Sequence, residues 1–236
     1  MPLPEGVYHT FDLPDGTHIK GVWDHRPVMH YYEKLEVKGQ TLLDAGCRDG
    51  YFSWLFEKMG AEVTGLDIID RPMRRLLQSK YGAKMKFLHK NILELAQIEA
   101  KQWDTVFCSD VLQHLESPLA GLRALHHQCK KRIYLIVDNH DELGDSCVMG
   151  DDPITPWYWG PGYIHSLLKL AGFSNPKTLA KFKVSGTVYP TRNVAMYQAD
   201  ADRAFTIDTL VNGPLWASTC LCDLSKTHRY ELEDND

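Results

Sequence analysis

Five short apolar segments alternate with helix-forming segments between residues 40 and 137, and this alternation constrains the fold more than any other feature. The segments of strand length are residues 41–45, 62–67, 85–88, 105–108 and 133–137. Between the first two, Phe52, Leu55, Phe56 and Met59 recur at the spacing that forms one apolar stripe on a helix. Strands that alternate with helices predict an α/β protein with a parallel sheet and helices on both of its faces.

A further amphipathic helix and two more strands are predicted later in the chain. Residues 164–171 carry an apolar stripe at helical spacing. Residues 177–183 and 193–198 have the composition of strands, and the turn region between them contains glycine and proline. The sheet is therefore expected to end in a hairpin.

Composition divides the chain into three parts. Residues 1–38 combine prolines, turn signals and a polar-aromatic cluster around Trp23, which is typical of an arm or lid. Residues 39–200 contain the predicted sheet. Residues 201–236 lack a clear periodicity and form a C-terminal extension, and their acidic end, residues 231–236, is expected to be disordered.

Charge and cysteine usage argue against several classes of protein. The net charge of −5 gives the whole chain no attraction for the phosphate backbone of a nucleic acid. No segment approaches the run of about 18 apolar residues that spans a membrane, so we expect no membrane association. The six cysteines are scattered rather than spaced as a disulfide framework or as metal ligands, which favours reduced thiols, no metal site and a cytoplasmic location.

The turn between the first predicted strand and the first helix has the composition of a ligand-binding loop. Gly46 and Gly50 bracket it, and small residues allow the backbone to approach a ligand beside the free N–H groups of a helix N-terminus. Asp44, at the end of the strand, can accept a hydrogen bond from a cationic or amine group. Arg48 and Tyr51 break the glycine spacing of dinucleotide-binding turns, so a dehydrogenase is disfavoured.

Polar residues also end the second and third predicted strands. Asp67 lies where a carboxylate bonds the two ribose hydroxyls of a bound nucleotide in a βαβ unit. The alternative is a surface aspartate that caps the next helix. Asn91 and Ile92 follow the third strand, where they could supply an amide and an apolar edge for an adenine ring.

Three segments, residues 44–50, 65–67 and 104–114, resemble in order and spacing the class I S-adenosylmethionine-dependent methyltransferases. The resemblance covers about residues 40–200. It implies S-adenosylmethionine as the cofactor and a Rossmann-like, seven-stranded, mostly parallel sheet whose last strand is antiparallel, in agreement with the predicted hairpin. Carried over by position, the cofactor-binding residues are Asp44, Gly46 and Gly50 around the methionine part, Asp67 at the ribose, Asn91 and Ile92 at the adenine, and the backbone of Ser109 at the methionine amine.

Within that superfamily, residues 13–18, 22–23 and 111–119 resemble the branch that contains the bacterial enzyme carboxymethylating the wobble uridine of tRNA. That enzyme holds a carboxylated cofactor partly through a tyrosine and a lysine, where this chain has Gln113 and Val28. Plain S-adenosylmethionine is therefore the expected cofactor. Because the chain is also acidic overall, a small-molecule methyl acceptor is favoured over tRNA.

Two histidines that follow strands of the predicted sheet are candidates for a general base. His114 comes just after the fourth strand and His140 just after the fifth, at the edge where parallel sheets bind ligands. A neutral imidazole can take a proton from the acceptor near neutral pH. In a chain with 11 histidines, a structural role is the alternative for each of them.

Four other residues are candidates for contacting the acceptor. Trp157 and Tyr158 belong to an aromatic run that could form a lid over a planar or cationic acceptor, with core packing as the alternative. Trp23 and Arg26 lie in the N-terminal arm, which could close over the site so that Arg26 pairs with an anionic group. The alternative for these two residues is a solvated arm.

The expected function is the transfer of a methyl group to an oxygen or nitrogen atom of a small metabolite by in-line displacement. Two alternatives remain open. One is a methyltransferase that modifies the wobble uridine of tRNA, and the other is a catalytically silent S-adenosylmethionine-binding subunit that stabilises a partner. The sequence leaves the oligomeric state undetermined.

Overall fold

The computed structural model describes residues 6–100, 102–152, 154–202 and 204–205. The strands are β1 (Phe11–Asp12), β2 (His18–Ile19), β3 (Trp23–Asp24), β4 (Thr41–Ala45), β5 (Glu62–Asp67), β6 (Lys86–His89), β7 (Trp103–Ser109), β8 (Cys129–Asp138), β9 (Cys147–Met149), β10 (Trp157–Trp159), β11 (Phe173–Gly186) and β12 (Arg192–Ala201). The α-helices are α1 (Met29–Tyr32), α2 (Tyr51–Lys58), α3 (Pro72–Tyr81), α4 (Pro118–Gln128) and α5 (Pro161–Leu170). Short 3-10 helices occupy Arg26–Val28, Ile92–Gln97, Leu112–His114 and Asp141–Leu143.

One large sheet has the strand order β3-β11-β12-β8-β7-β4-β5-β6. The five strands from β6 to β8 are parallel, whereas β12 is antiparallel to both β8 and β11. The predicted α/β fold, with seven strands and an antiparallel last strand, is confirmed. An eighth strand was not predicted: β3 comes from the N-terminal segment and pairs with the end of β11.

The strand β11 is irregular near its start. Its pairing with β12 shifts register twice, between Ser174 and Lys177 and again between Thr178 and Ala180. Asn175 has a φ of +51°, and Pro176, which follows it, cannot donate a backbone hydrogen bond. The strand has 14 residues, twice the predicted length, and its pairing is irregular within the first half of that length.

Alternate residues of the central strands feed two hydrophobic cores, because successive side chains of a strand point to opposite faces of the sheet. Leu42 and Phe107 pack on the face covered by α2, α3 and the N-terminal segment. Leu43 and Val106 pack on the face covered by α4 and α5. Helices therefore cover both faces, as the alternation of strands and helices predicts.

The N-terminal segment, residues 6–38, packs its apolar side chains into the first of these cores. Phe11, Tyr32 and Val37 are buried. The ring of Tyr32 lies 4.8 Å from that of Phe52 and 6.4 Å from that of Phe107, measured between centroids. The predicted boundary at residue 38 therefore separates two parts of the chain that share one core.

All these strands and helices belong to the unit that ends at Ala201; of the second unit, which starts at Asp202, residues 202, 204 and 205 are described. Most of the predicted C-terminal extension, residues 203 and 206–236, lies outside the described residues. None of the described helices has the length and hydropathy needed to cross a membrane.

Replacing a buried aromatic residue of the N-terminal segment should destabilise the whole fold. Phe11 is 1% exposed and contacts the rings of Tyr51 and Trp54 on α2. Phe11→Ala should lower the free energy of unfolding, measured by chemical denaturation, by about 3–5 kcal/mol, because it leaves a cavity there. The control Val188→Ala, at a position that is 74% exposed, should change it by less than about 0.5 kcal/mol. Similar small effects of both changes would contradict the packing described for this segment.

Candidate functional site

A cavity of about 500 Å³ opens at the carboxyl ends of β4, β5, β6 and β7. This is the edge of a parallel sheet at which ligands bind. Residues 8 and 9 of the N-terminal segment complete its wall. Six of the seven predicted cofactor-binding residues line it together, namely Asp44, Gly46, Asp67, Asn91, Ile92 and Ser109.

The turn between β4 and α2 is built from residues in the left-handed conformation. Gly46, Arg48 and Gly50 have φ values of +80°, +46° and +84°. A Cβ at Gly46 would lie 2.1 Å from Cγ2 of Val111, so a side chain does not fit where the turn borders the cavity. Gly50, the seventh predicted residue, does not line the cavity. It faces Arg74 of α3, whose Cγ would lie 3.2 Å from an added Cβ.

Two backbone N–H groups fix the carboxylate of Asp67. Arg48 donates to Oδ2 at 2.8 Å, and Ile69 donates to Oδ1 at 2.9 Å. Each carboxylate oxygen keeps capacity for another hydrogen bond, so the group can accept from two neighbouring hydroxyls. The alternative of a helix cap is not observed, because Arg71 occupies the N-cap position of α3 and makes no side-chain cap there.

Asp44 is a buried carboxyl whose charge depends on its surroundings. Ser53 Oγ donates to its Oδ2 at 2.6 Å. Burial raises the pKa of the Asp44 carboxyl to about 7. A cation placed beside it would favour the ionised form. The cavity therefore contains an acid that a cationic ligand can ionise.

Asp110, also on the cavity wall, belongs to a partly buried ion cluster. Arg192 donates to Asp110 Oδ2 at 2.6 Å and to Asp138 Oδ1 at 3.2 Å. Burial alone would raise the pKa of Asp110, but Arg192 and, to a lesser extent, its other polar neighbours outweigh burial, so the pKa lies below its ordinary value. The other oxygen, Oδ1 of Asp110, is buried and has no hydrogen-bond partner among the described residues. The cluster therefore leaves one acceptor atom unused next to the cavity.

Asp49 holds the N-terminal segment against the turn. The N–H groups of Tyr8 and His9 each donate to its Oδ2 at 2.8 Å, and Nδ1 of His9 lies 2.6 Å from its Oδ1. Burial raises the pKa of Asp49, but the effect of His9 and these hydrogen bonds is greater, so the pKa lies below its ordinary value. An ionised carboxylate thus fixes two residues of the cavity wall.

Tyr8, His9 and Arg48 line the cavity but were not predicted from the sequence. The guanidinium carbon of Arg48 lies 3.9 Å from the centroid of the Tyr8 ring. His9 precedes its partner Asp49 by 40 residues, so no local pattern connects them. The sequence feature that could have indicated this contact was Asp49, an acidic residue in a tight turn for which no partner was predicted.

The two predicted catalytic histidines differ in position. His114 lines the cavity, and its Nδ1 donates to the backbone carbonyl of Ile154 at 2.7 Å. His140 does not line the cavity. Its Nδ1 lies 3.2 Å from Oε1 of Glu142 in the loop after β8.

The predicted aromatic lid is a short antiparallel pair of strands, β9 and β10, and its aromatic residues do not line the cavity. Trp157 Nε1 donates to the backbone carbonyl of Leu115 at 3.0 Å. The ring of Tyr158 lies 5.2 Å from that of His140. Trp157 therefore supports the backbone next to His114 rather than facing the cavity.

Trp23 and Arg26 also lie away from the cavity wall. The ring of Trp23 packs against the guanidinium of Arg192 at 4.4 Å. Arg26 pairs with Asp12 and Asp24, each at 2.7 Å. These contacts engage the guanidinium of Arg26 within the N-terminal segment.

Comparison with known proteins gives one family and several relatives. The profile of a family described as "Methyltransferase domain" matches residues 23–178. The ubiquinone biosynthesis O-methyltransferase of Pseudomonas paraeruginosa is 32% identical over 100 residues, which cover 42% of this chain and 43% of that protein. The tRNA U34 carboxymethyltransferase of Alteromonas mediterranea is 30% identical over 154 residues, which cover 61% of this chain and 45% of that protein. The chain thus matches less than half the length of these curated relatives.

A solved structure with a similar fold is the 1,6-didemethyltoxoflavin-N1-methyltransferase of Burkholderia thailandensis, with 1,6-didemethyltoxoflavin and S-adenosylhomocysteine bound. The TM-score is 0.58 at 19% identity, and the superposition covers 75% of this chain and 77% of that chain. At this identity the likeness concerns the fold alone.

Gly46→Ala should destabilise the protein more than the same change at a glycine with free space around it. Gly82 has a φ of +70° and nothing within 4 Å of an added Cβ, so Gly82→Ala is the matched control for backbone strain. That strain is about 1–2 kcal/mol, and the clash with Val111 should add about 1–3 kcal/mol. In chemical denaturation, combining Val111→Ala with Gly46→Ala should remove the part of the destabilisation that comes from the clash. Equal effects at both glycines would contradict the close approach of Val111.

Proposed function

Because the chain belongs to the methyltransferase domain family, we propose that it transfers a methyl group from S-adenosylmethionine to an oxygen or nitrogen atom of a small molecule. The observation that carries the proposal is the cavity that six of the predicted cofactor-binding residues line together. Its volume of about 500 Å³ lies within the range of about 300–1,000 Å³ that is common for small-molecule sites.

The chemistry of the cavity fits this cofactor. The spare acceptor capacity of the Asp67 carboxylate suits the two hydroxyls of a ribose. Asp44 and the unpaired oxygen of Asp110 suit a cationic amine and a sulfonium. The absence of a side chain at Gly46 lets Val111, which also lines the cavity, pack against the turn that would hold the methionine part. When bound, S-adenosylmethionine supplies an activated methyl group for in-line displacement.

The residues of the chain would act mainly by alignment. Holding two reactants in the reacting geometry is equivalent to an effective concentration of about 10⁵–10⁸ M. In this proposal Asp67 orients the ribose, Asn91 and Ile92 hold the adenine, and Asp44 and Ser109 hold the methionine part. No covalent bond to the protein is needed.

A small-molecule acceptor is favoured over tRNA. The net charge of −5 offers no general attraction for tRNA, and one relative is an O-methyltransferase of ubiquinone biosynthesis. The match to a tRNA U34 carboxymethyltransferase keeps tRNA as the second candidate. The cavity continues beyond the predicted cofactor residues to Tyr8, His9 and His114, which supports an acceptor site and therefore an enzyme rather than a silent subunit.

The spacing of the cysteines supports a cytoplasmic location.

Isothermal titration calorimetry with S-adenosylmethionine and S-adenosylhomocysteine tests the cofactor. The wild type should bind both ligands. Asp67→Ala should weaken binding of S-adenosylmethionine by about 1–3 kcal/mol, because it leaves the ribose hydroxyls without their acceptor. The control is Asp70→Ala, which removes a nearby exposed carboxylate that pairs with Arg75 and does not line the cavity. Binding of neither ligand by the wild type would refute the proposed function, whereas unchanged affinity in Asp67→Ala would refute the ribose assignment alone.

The affinity for S-adenosylmethionine should rise with pH between about 5.5 and 7, below the range near 7.7–8.0 in which an α-amino group itself titrates. Below its pKa of about 7 the Asp44 carboxyl is neutral, so binding of a cation must release a proton, and affinity increases by at most about tenfold per pH unit. Calorimetry in two buffers of different ionisation enthalpy should detect that proton near pH 6. Asp44→Asn should bind more weakly at neutral pH and should show no proton release from this site. A pH-independent affinity in the wild type would contradict the assignment of Asp44.

A further inference from the structure

On the basis of the proposed function, we propose that the methyl acceptor is a hydroxyl group, that His9 is the general base taking its proton, and that Asp49 is the positioning residue for His9. Neither His9 nor Asp49 is among the catalytic residues predicted from the sequence. It comes from the N-terminal segment and the turn after β4, which meet at the cavity.

The contact with Asp49 determines which nitrogen of His9 can act as a base. An ionised carboxylate only accepts hydrogen bonds, so the 2.6 Å contact between Nδ1 of His9 and Oδ1 of Asp49 requires the proton on Nδ1. In the neutral ring, Nε2 then carries a lone pair. Within the described residues, the hydrogen bond of the His9 side chain is made by Nδ1, to Asp49. Since His9 lines the cavity, the remaining nitrogen is the one that would take a proton from a ligand in the proposed step.

Aromatic side chains hold the imidazole in place. The ring of Tyr51 stacks on it at 5.1 Å and an angle of 17° between the planes. The rings of Phe52 and Tyr8 meet it edge to face at 5.2 and 5.0 Å. A base in a fixed orientation is what a proton transfer during methyl displacement requires.

His9 is better placed than His114, which also lines the cavity. Leu115, next to His114, packs with Ile92 around Gly121, so His114 lies at the end of the cavity that is predicted to hold the adenine. His9 lies close enough to Asp44 to lower the pKa of that carboxyl, although burial raises it more. His9 is therefore at the end predicted to hold the methionine part. His114 is also exposed, and its partner is a neutral carbonyl rather than a carboxylate.

In the proposed step the bond between the acceptor oxygen and the methyl carbon forms as the bond between sulfur and the methyl carbon breaks. The electron pair of the broken bond stays on sulfur, which becomes a neutral thioether. The proton of the acceptor hydroxyl moves to Nε2 of His9. The resulting imidazolium lies beside the ionised Asp49, whose attraction stabilises it.

The titratable and charged groups near His9 are Tyr8 and His25 on its own segment, Arg48 and Asp49 in the turn, Tyr51 on α2, Asp44 near the end of β4 and Asp110 just after β7. Burial lowers the pKa of His25 to about 3, so His25 stays neutral. Burial raises the pKa of Tyr8 and of Tyr51, so both stay neutral as well. Asp44 changes its charge near pH 7. Rates are therefore compared at saturating S-adenosylmethionine, where Asp44 is held ionised.

The first test needs no turnover. Nitrogen-15 NMR of protein labelled in its histidines, with saturating S-adenosylhomocysteine, reports which ring nitrogen carries the proton, and loss of a signal in His9→Gln assigns His9. We expect the neutral ring to be protonated at Nδ1 in the wild type and to lose this preference in Asp49→Asn. A neutral ring protonated at Nε2 would overturn the proposal.

The second test measures release of S-adenosylhomocysteine with a set of phenols and catechols and with a set of aromatic amines. The hydroxyl compounds should be methylated. His9→Gln, whose amide can still donate to Asp49, should lower kcat at pH 7 by about 10²–10⁴-fold and leave the Kd for S-adenosylmethionine within about twofold. The loss should shrink as pH approaches about 10, where a phenol ionises without a base. Asp49→Asn should lower kcat with the same pH dependence.

The matched control is His18→Gln, because Nδ1 of His18 lies 2.8 Å from Oδ1 of Asp12 in an exposed pair on the same segment. It should leave kcat unchanged. Failure of the wild type to bind S-adenosylmethionine would refute the proposed function, whatever His9 does. With binding intact, methylation of amines alone or of neither set, full turnover by His9→Gln at pH 7, or a loss confined to His114→Gln would each overturn the assignment of His9.

Discussion

The buried carboxylate of Asp49 connects the two parts of the chain that form the cavity. It accepts hydrogen bonds from two consecutive backbone N–H groups and from the His9 ring, and a buried charge left without such partners would be strongly unfavourable. The turn that carries Asp49 is itself fixed by left-handed residues at positions 46, 48 and 50. Once the segment is held there, Phe11 and Tyr32 complete the core beneath α2. The cavity wall and the packing of this face therefore depend on the same contact.

Three buried aspartates near the cavity differ in charge because their partners differ. Asp49 has a histidine and two amides, and Asp110 has an arginine, so the pKa of each lies below its ordinary value despite burial. Asp44 has a neutral hydroxyl as its partner, and burial raises its pKa. The folded chain thus keeps fixed charges where they hold its own segments together. It leaves one carboxyl whose charge is set by whatever occupies the cavity.

The central sheet could be predicted because its signals are local: strand-length apolar runs, helical stripes and glycines lie within a few residues of each other. Asp44, Asp67 and Asn91 could be expected to meet, since parallel strands end at one edge of a sheet. His9 could not be expected there, because it is held at the cavity by Asp49, which lies 40 residues later in the sequence. Trp157 and Arg26 have suitable chemistry for an acceptor site, but strand pairing and nearby aspartates place them elsewhere. The eighth strand, β3, could not be predicted, because its two residues are too few to form a periodic pattern.

The irregular strand β11 has a consequence for how the molecule meets its neighbours. Among the described strands, β11 is the last of the sheet over most of its length, since β3 pairs only with Ser185 and Gly186. An open strand edge is a template for pairing with another chain, and Pro, bulges and exposed lysines each oppose such pairing. Pro176, the two register shifts and the exposed Lys177, Lys181 and Lys183 all lie on this strand. Pro176 and the register shifts that make β11 irregular, together with its exposed lysines, therefore oppose pairing of this edge with another chain.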